Sequence, residues 1–377
     1  MIYLDTRLPN SRPVLLAVFL IGLLTLPAWM QVSAQDVTGA VPVVRDEVTL
    51  DFPQGLNFQL EVASDIIISS ADLLFSIGKN RTLIQTSAQL AGSPGNTIDH
   101  FVDMLNLGIP AGVTLSYHWR LHTQEGEIVD SPVTQTEWFD DRYTWTTYTT
   151  EDVLLFAYAE DDEFYDRAAQ VAQNSLSELQ NRFESLARHE PLRIWLYESQ
   201  PDMSGALSPN SREWIGGVSH ARYSLISGVV PSGSEYSINR LIPHEVAHQV
   251  IHDATANPFI YPATWLDEGI AMAIQTVGLD GLDEMVEQAY AAGTLPTVQS
   301  MISEFGSDGA TTRLAYASSY SVVTFIEDTW DAEVINDLVS AYADGRSHDD
   351  TLQSVMGIDT IELNRLWRSH IENQLDR

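Results

Sequence analysis

The chain has 377 residues, 44% of them hydrophobic and 19% charged, which is enough for two domains with substantial cores. Its formal net charge of -33 makes a surface that repels nucleic acid and anionic membrane, so neither is an expected partner. It has no cysteine, which excludes disulfides, thiolate catalysis and Cys-type metal sites.

Residues 1–34 read as an export signal. Arg7 and Arg12 precede an apolar run over residues 14–24, Pro27 breaks it, and Val32-Ser33-Ala34 resembles a small-residue cleavage site. The run is short for a membrane span, which needs about 20 residues; an uncleaved anchor is the alternative. Either way, the remainder is expected to be secreted or at the cell surface. Residues 35–46 are polar and read as a flexible lead-in.

From residue 47 to 158 the hydrophobic period is two. Leu56, Phe58, Leu60 and Val62 alternate with polar residues, as do Val113, Leu115, Tyr117, Trp119 and Leu121. Alternation with frequent turns predicts a half-buried antiparallel sheet, most simply an immunoglobulin-like β-sandwich domain. The period then changes. Phe164, Ala168, Val171, Ser175, Leu179 and Phe183 recur at helical spacing, and residues 192–197 read as a strand. A second domain is therefore placed at residues 159–377, giving an α+β chain. Residues 221–226 read as a further strand. Ser237 or Asn239 is placed to cap the next helix, with Pro243 near its first turn.

That helix carries His244-Glu245-Val246-Ala247-His248. Residues four apart share a helix face, so His244 and His248 can offer two imidazole nitrogens to one metal ion. Glu245 lies one step round and can reach a water on that metal without ligating it. This is the helical zinc-hydrolase signature. Trp265-Leu266-Asp267-Glu268-Gly269-Ile270-Ala271 follows on a second helix, where Glu268 can complete a three-ligand site with one position left open. Gly269 and Ala271 are small enough to let two helices approach closely. His252 is read as a surface residue or one that supports a ligand. A third histidine six residues after the second would fall at position 254, which is Ala254.

These two stretches resemble the gluzincin zinc metallopeptidases, most closely the bacterial peptidase MA-like metallohydrolases, relatives of thermolysin and the zinc aminopeptidases. The resemblance covers roughly residues 155–377. It implies a mostly helical, thermolysin-like domain with an edge-strand sheet, a Zn2+ cofactor on His244, His248 and Glu268, and Glu245 as general base. The aminopeptidase relatives have one residue fewer between the second His and the Glu. By the same resemblance, Gly216, Gly217 and Val218 lie on the edge strand that binds substrate. Ser219 stands where the aminopeptidases carry a Glu for the substrate's amino terminus. Aminopeptidase specificity is thus not implied, and an endopeptidase acting on a peptide or protein fits better. Tyr316 matches the catalytic Tyr of a Tyr-x-x-Gly pattern whose Gly is Ser319 here; a packing tyrosine is the alternative. Residues 331–377 read as a small helical subdomain. The expected function is that of a secreted zinc metallopeptidase. The alternatives are an extracellular binding or adhesion protein on a metallopeptidase scaffold and a zinc hydrolase of non-peptide amides.

Overall fold

The computed structural model describes residues 43–63, 67–78, 82–90, 96–183, 190–207, 216–257, 260–306, 308–331 and 333–376. The expected export signal lies outside these residues, as do Trp214 and Ile215 just before the expected edge strand. A strand opens at Val43, inside the stretch read as a lead-in. Everything described belongs to one compact unit, Gly39–Arg377.

The alternating segment forms β1 (Val43–Asp51), β2 (Gly55–Val62), β3 (Ile68–Ile77), β4 (Ile84–Leu90), β5 (Thr97–Asp103), β6 (Val113–Thr123), β7 (Ile128–Asp130) and β8 (Thr134–Trp138). The side chains of a strand point alternately to its two faces. In β6, Val113, Leu115, Tyr117, Trp119 and Leu121 are accordingly buried, and the residues between them are half-exposed. The strands were expected in two sheets, but they make one antiparallel sheet, ordered β1-β2-β5-β4-β3-β6-β7, with β8 also on β6. The link is β4, which pairs with β3 along Ala71–Phe75 and with β5 at Gln89 and Leu90. The sheet closes over its own inner face. Phe58 of β2 meets Tyr117 of β6 edge-on at 4.9 Å, and Asp46 of β1 accepts from Tyr117 Oη at 3.1 Å and Trp119 Nε1 at 3.3 Å.

The next strands are β9 (Thr146–Thr149) and β10 (Val153–Ala157), followed by α1 (Asp162–Arg182), β11 (Leu192–Tyr197), α2 (Gln200–Ser204), β12 (Gly217–His220) and β13 (Leu225–Val229). The second sheet runs β12-β13-β11-β10-β9. Its centre is parallel and both its ends are antiparallel. Two of its strands, β9 and β10, lie before the expected boundary at residue 158. Both β9 and β10 pair with each other and lead into β11, and Val153, Leu155 and Ala157 bury against α1 and the helices beyond. Alternation reveals a strand but not which sheet takes it. Of the next expected strand, residues 221–226, only Leu225 and Ile226 are strand, and β13 runs on to Val229. Residues 221–223 make a 3-10 turn ended by Ser224 in the left-handed region (φ 54°).

The two sheets are pressed together. Trp195, Tyr197 and Leu225 of the second join the core of the first, and Trp195 stacks on Phe156 at 4.3 Å. Gly112, at φ +98°, meets them so closely that a Cβ would lie 2.2 Å from Trp195 Nε1.

Helices then dominate: α3 (Glu235–Ala254), α4 (Thr264–Ala273), α5 (Leu282–Ala291), α6 (Gly309–Trp330), α7 (Glu333–Ala343), α8 (His348–Met356) and α9 (Thr360–Leu375). Arg182 of α1 ties two of them together, donating to Glu327 of α6 at 2.7 Å and to Asn336 of α7 at 3.2 Å. The α4–α6 crossing depends on Gly269. A Cβ there would sit 2.5 Å from the Ser319 carbonyl oxygen and 2.4 Å from Val323 Cγ2. Ser319 itself takes little room, because its hydroxyl folds back onto the Ala315 carbonyl at 2.9 Å. Gly269→Ala is expected to force the helices apart and cost about 1–3 kcal/mol, read as a lower thermal midpoint. An unchanged midpoint would show that the crossing can relax.

Candidate metal centre and active-site cleft

Helix α3 opens at Ser234, whose side chain accepts from Ser237 N, so the cap lies three residues before the earliest one expected. Pro243 consequently sits two turns inside the helix rather than in its first turn. A proline has no N–H for the carbonyl four residues back. That carbonyl, Asn239 O, instead accepts from Thr276 Oγ1 at 3.4 Å.

One turn on, three polar atoms converge. His244 Nε2 and His248 Nε2 are 3.3 Å apart. Glu268 Oε2, brought in by α4, lies 3.3 Å from the first and 3.5 Å from the second. Ligands about 2.0–2.2 Å from a tetrahedral ion stand roughly 3.4 Å from one another, so this triangle has the size of one face of such a site. Among the described residues, Glu268 Oε2 is also buried with no hydrogen-bond partner, although a buried charged oxygen is normally satisfied. A bound cation would supply that partner. Among the described residues, His244, His248 and Glu268 form the one cluster of at least three His or acidic side chains able to hold a metal ion.

The ligand rings are held from behind. His248 Nδ1 lies 2.9 Å from Asp267 Oδ1, and His252 Nε2 lies 3.0 Å from the other oxygen, Oδ2. His244 Nδ1 lies 2.7 Å from the Gln275 side-chain amide. An acceptor on the far nitrogen, as Asp267 is for His248, fixes which ring nitrogen faces a metal. Burial favours neutral groups here, but mutual attraction outweighs it. The His248 pKa is raised well above its ordinary value by Asp267 and Glu268. Asp267 is held far below the usual carboxylate range by His248 and His252, and Glu268 is drawn down to about 2 by His248 and His244. Asp267→Asn keeps the size but loses the anion shared by two imidazoles. It is expected to weaken metal affinity about 10–100-fold, measured by competition with a chelator.

Glu245 is 5% exposed, and burial pushes its carboxyl up, partly offset by the two neighbouring imidazoles. It borders a cleft of about 720 Å³ that also contains His244, His248, Glu268, Tyr316, Gly217 and Val218. Strand β12 forms one wall. It is an edge of its sheet and pairs only with β13 among the described residues. Its glycines differ in role. A Cβ on Gly217 would meet Glu245 Oε1 at 2.7 Å and Leu241 Cδ1 at 2.9 Å, so this glycine makes room for the carboxylate. Gly216 would meet only Leu241 at an ordinary 3.7 Å; it borders an adjoining cavity. Ser219 accepts from the buried Gln249 Nε2 at 2.7 Å, which pins β12 to α3.

Tyr316 projects from α6 into the cleft, its ring 6.3 Å from that of His244 and 5.4 Å from that of Phe305. Sequence reasoning did not single out Asp267, Gln275 or Glu304, the last of which also lines the cleft. Asp267 could have been found, because it adjoins Glu268 on the same helix; Gln275 and Glu304 carry no spacing signal.

The family model described as the Peptidase MA superfamily matches residues 171–373. No curated protein matches the chain. Among solved structures, yeast LTA4 hydrolase in complex with bestatin is similar at 8% identity and a TM-score of 0.36; the match covers 85% of this chain and 62% of that one. A Br derivative of BhCBM56 is similar at 8% identity and a TM-score of 0.21, over 26% of this chain and 96% of that one. A myokine is similar at 9% identity and a TM-score of 0.22, over 27% and 100%.

Proposed function

The chain belongs to the Peptidase MA superfamily, and from that premise we propose that it is an exported zinc metallopeptidase of the gluzincin type. The observation that carries this reading is the convergence of His244 Nε2, His248 Nε2 and Glu268 Oε2 beside a buried carboxylate in an open cleft. Two imidazoles and one carboxylate are a catalytic zinc donor set, with a position left for water. Zinc bound there would polarise a carbonyl and lower the pKa of water towards neutrality.

The chain's own residues supply the rest. Glu245 takes the proton of the attacking water and passes it to the leaving amine; burial suits it to this, because a raised pKa makes a carboxylate a better acceptor. Tyr316 donates its phenolic proton in a hydrogen bond to the oxygen of the attacked carbonyl as charge develops there. The edge of β12 away from β13, unpaired among the described residues, holds an extended peptide by main-chain hydrogen bonds across the cleft. Ser219 has no charge for an amino terminus and is already bonded to Gln249, so internal cleavage is favoured over aminopeptidase action.

Export rests on the sequence of residues 1–34. Among the described residues no helix is long and apolar enough to cross a membrane. The test is hydrolysis of a mixed peptide pool by the mature chain, followed by mass spectrometry. Internal cuts that stop on chelation and resume with zinc support the reading. Chelator-resistant cuts, or release of amino-terminal residues alone, contradict it.

A further inference from the structure

A second cavity, of about 550 Å³, shares Gly217, His244, Glu245 and Tyr316 with the main cleft. We infer that it is a carboxylate-binding subsite, in which Arg240 and Arg313 receive an acidic group on the C-terminal side of the substrate. The inference rests on the peptidase reading for the identity of the ligand as a peptide, but not for the charge it takes.

Three observations support it. The first is charge. Most described arginines of this acidic chain are held by carboxylates, such as Arg120 by Asp130 and Arg142 by Asp140. Arg240 and Arg313 are exposed and have neither an ion pair nor a hydrogen-bond partner among the described residues. Both line this cavity, where Glu245 is the sole acidic residue among the described ones. A guanidinium presents a planar fork of donors that matches a carboxylate.

The second is placement. Arg240 lies four residues before His244 on α3, and Arg313 three before Tyr316 on α6. Each therefore stands one helical turn from a residue of the site, on the same face. The third is polarity. The main cleft is lined by Asp267, Glu268 and Glu304 and contains no arginine or lysine among the described residues. The two cavities thus carry opposite charge on either side of their shared residues.

Strand β12 connects them. Gly216 borders the arginine cavity, Val218 and Ser219 border the main cleft, and Gly217 borders both. A peptide on the outer edge of β12 with its C-terminal side towards the arginines runs antiparallel to it, as β13 does on the other edge. The carboxylate has two possible sources, the chain terminus of a short peptide or an Asp or Glu side chain in a longer one.

Binding to the mature Glu245→Gln chain, loaded with zinc, separates these sources. The probes are dansylated random hexapeptides in three pools: amidated with neutral residues only, the same with a free C-terminal carboxylate, and amidated with Glu fixed next to last. At least one carboxylate pool is expected to bind about tenfold or more tightly than the neutral pool. Preference for the free-acid pool assigns the terminus, and preference for the Glu pool assigns a side chain. Adding Arg240→Gln and Arg313→Gln should remove the preference and leave zinc content and neutral-pool binding unchanged. Equal binding of all pools, including none, overturns the inference, as does a preference that survives loss of both arginines. A chain that shows the preference while the wild type cleaves no pool keeps the subsite and sinks the peptidase reading. Cleavage without the preference does the reverse.

Discussion

Glu245→Gln is expected to lower peptide hydrolysis about 10²–10⁴-fold in kcat while zinc content stays at the wild-type level. The substitution is nearly isosteric, and the pocket admits it. Gly217 leaves the room in which the side chain lies, 2.7 Å from where a Cβ would stand. The residue is not among the three whose polar atoms converge, so metal affinity should survive. What goes is a proton acceptor. A carboxamide cannot take a proton from water near neutral pH, whereas a buried carboxylate with a raised pKa can. Kinetics with matched zinc analysis checks this. A variant that cleaves as fast as the wild type would remove Glu245 from the mechanism and with it the reason for its burial.

Glu268→Ala is expected to abolish stable zinc binding and, with it, detectable hydrolysis. Glu268 is the one anion of the ligand set, and it arrives from a different helix, so its loss leaves two imidazoles on one face of α3. Its Oε2 is buried 3.3 and 3.5 Å from the two histidine nitrogens with no hydrogen bond among the described residues, a place a cation would fill. Thermal unfolding provides a readout independent of activity. A ligand present at a hundredfold its Kd stabilises the folded state by about 2.7 kcal/mol, so zinc should raise the wild-type midpoint by several degrees. The same addition should leave Glu268→Ala unmoved. If the variant still gains the shift, the third ligand is some other group.

The triangle of His244, His248 and Glu268 was legible because it is written in local spacing. Two histidines four apart on a helix must share a face, and Glu268 sits beside a glycine that lets α4 approach α6. The supporting groups are less legible. Gln275 reaches His244 from 31 residues downstream, and nothing in its neighbourhood marks it. Pro243 was misplaced within its helix because the usual rule confines proline to the first turn; here Thr276, from a distant loop, satisfies the carbonyl that Pro243 leaves open. In the N-terminal half, alternation identified the strands but not their pairing. Whether β4 separates two sheets or joins them depends on Gln89 and Leu90 reaching β5, and no residue signals that. The assignment of β9 and β10 to the second sheet likewise depends on parallel pairing with β11, far along the chain.

The central claim is that this chain holds a catalytic zinc on His244, His248 and Glu268. The most direct test is elemental analysis of the purified protein after exhaustive dialysis. Close to one zinc per chain is expected, in line with a three-ligand site, and its loss in Glu268→Ala. A chain that contains no metal and takes up none when zinc is added would contradict it.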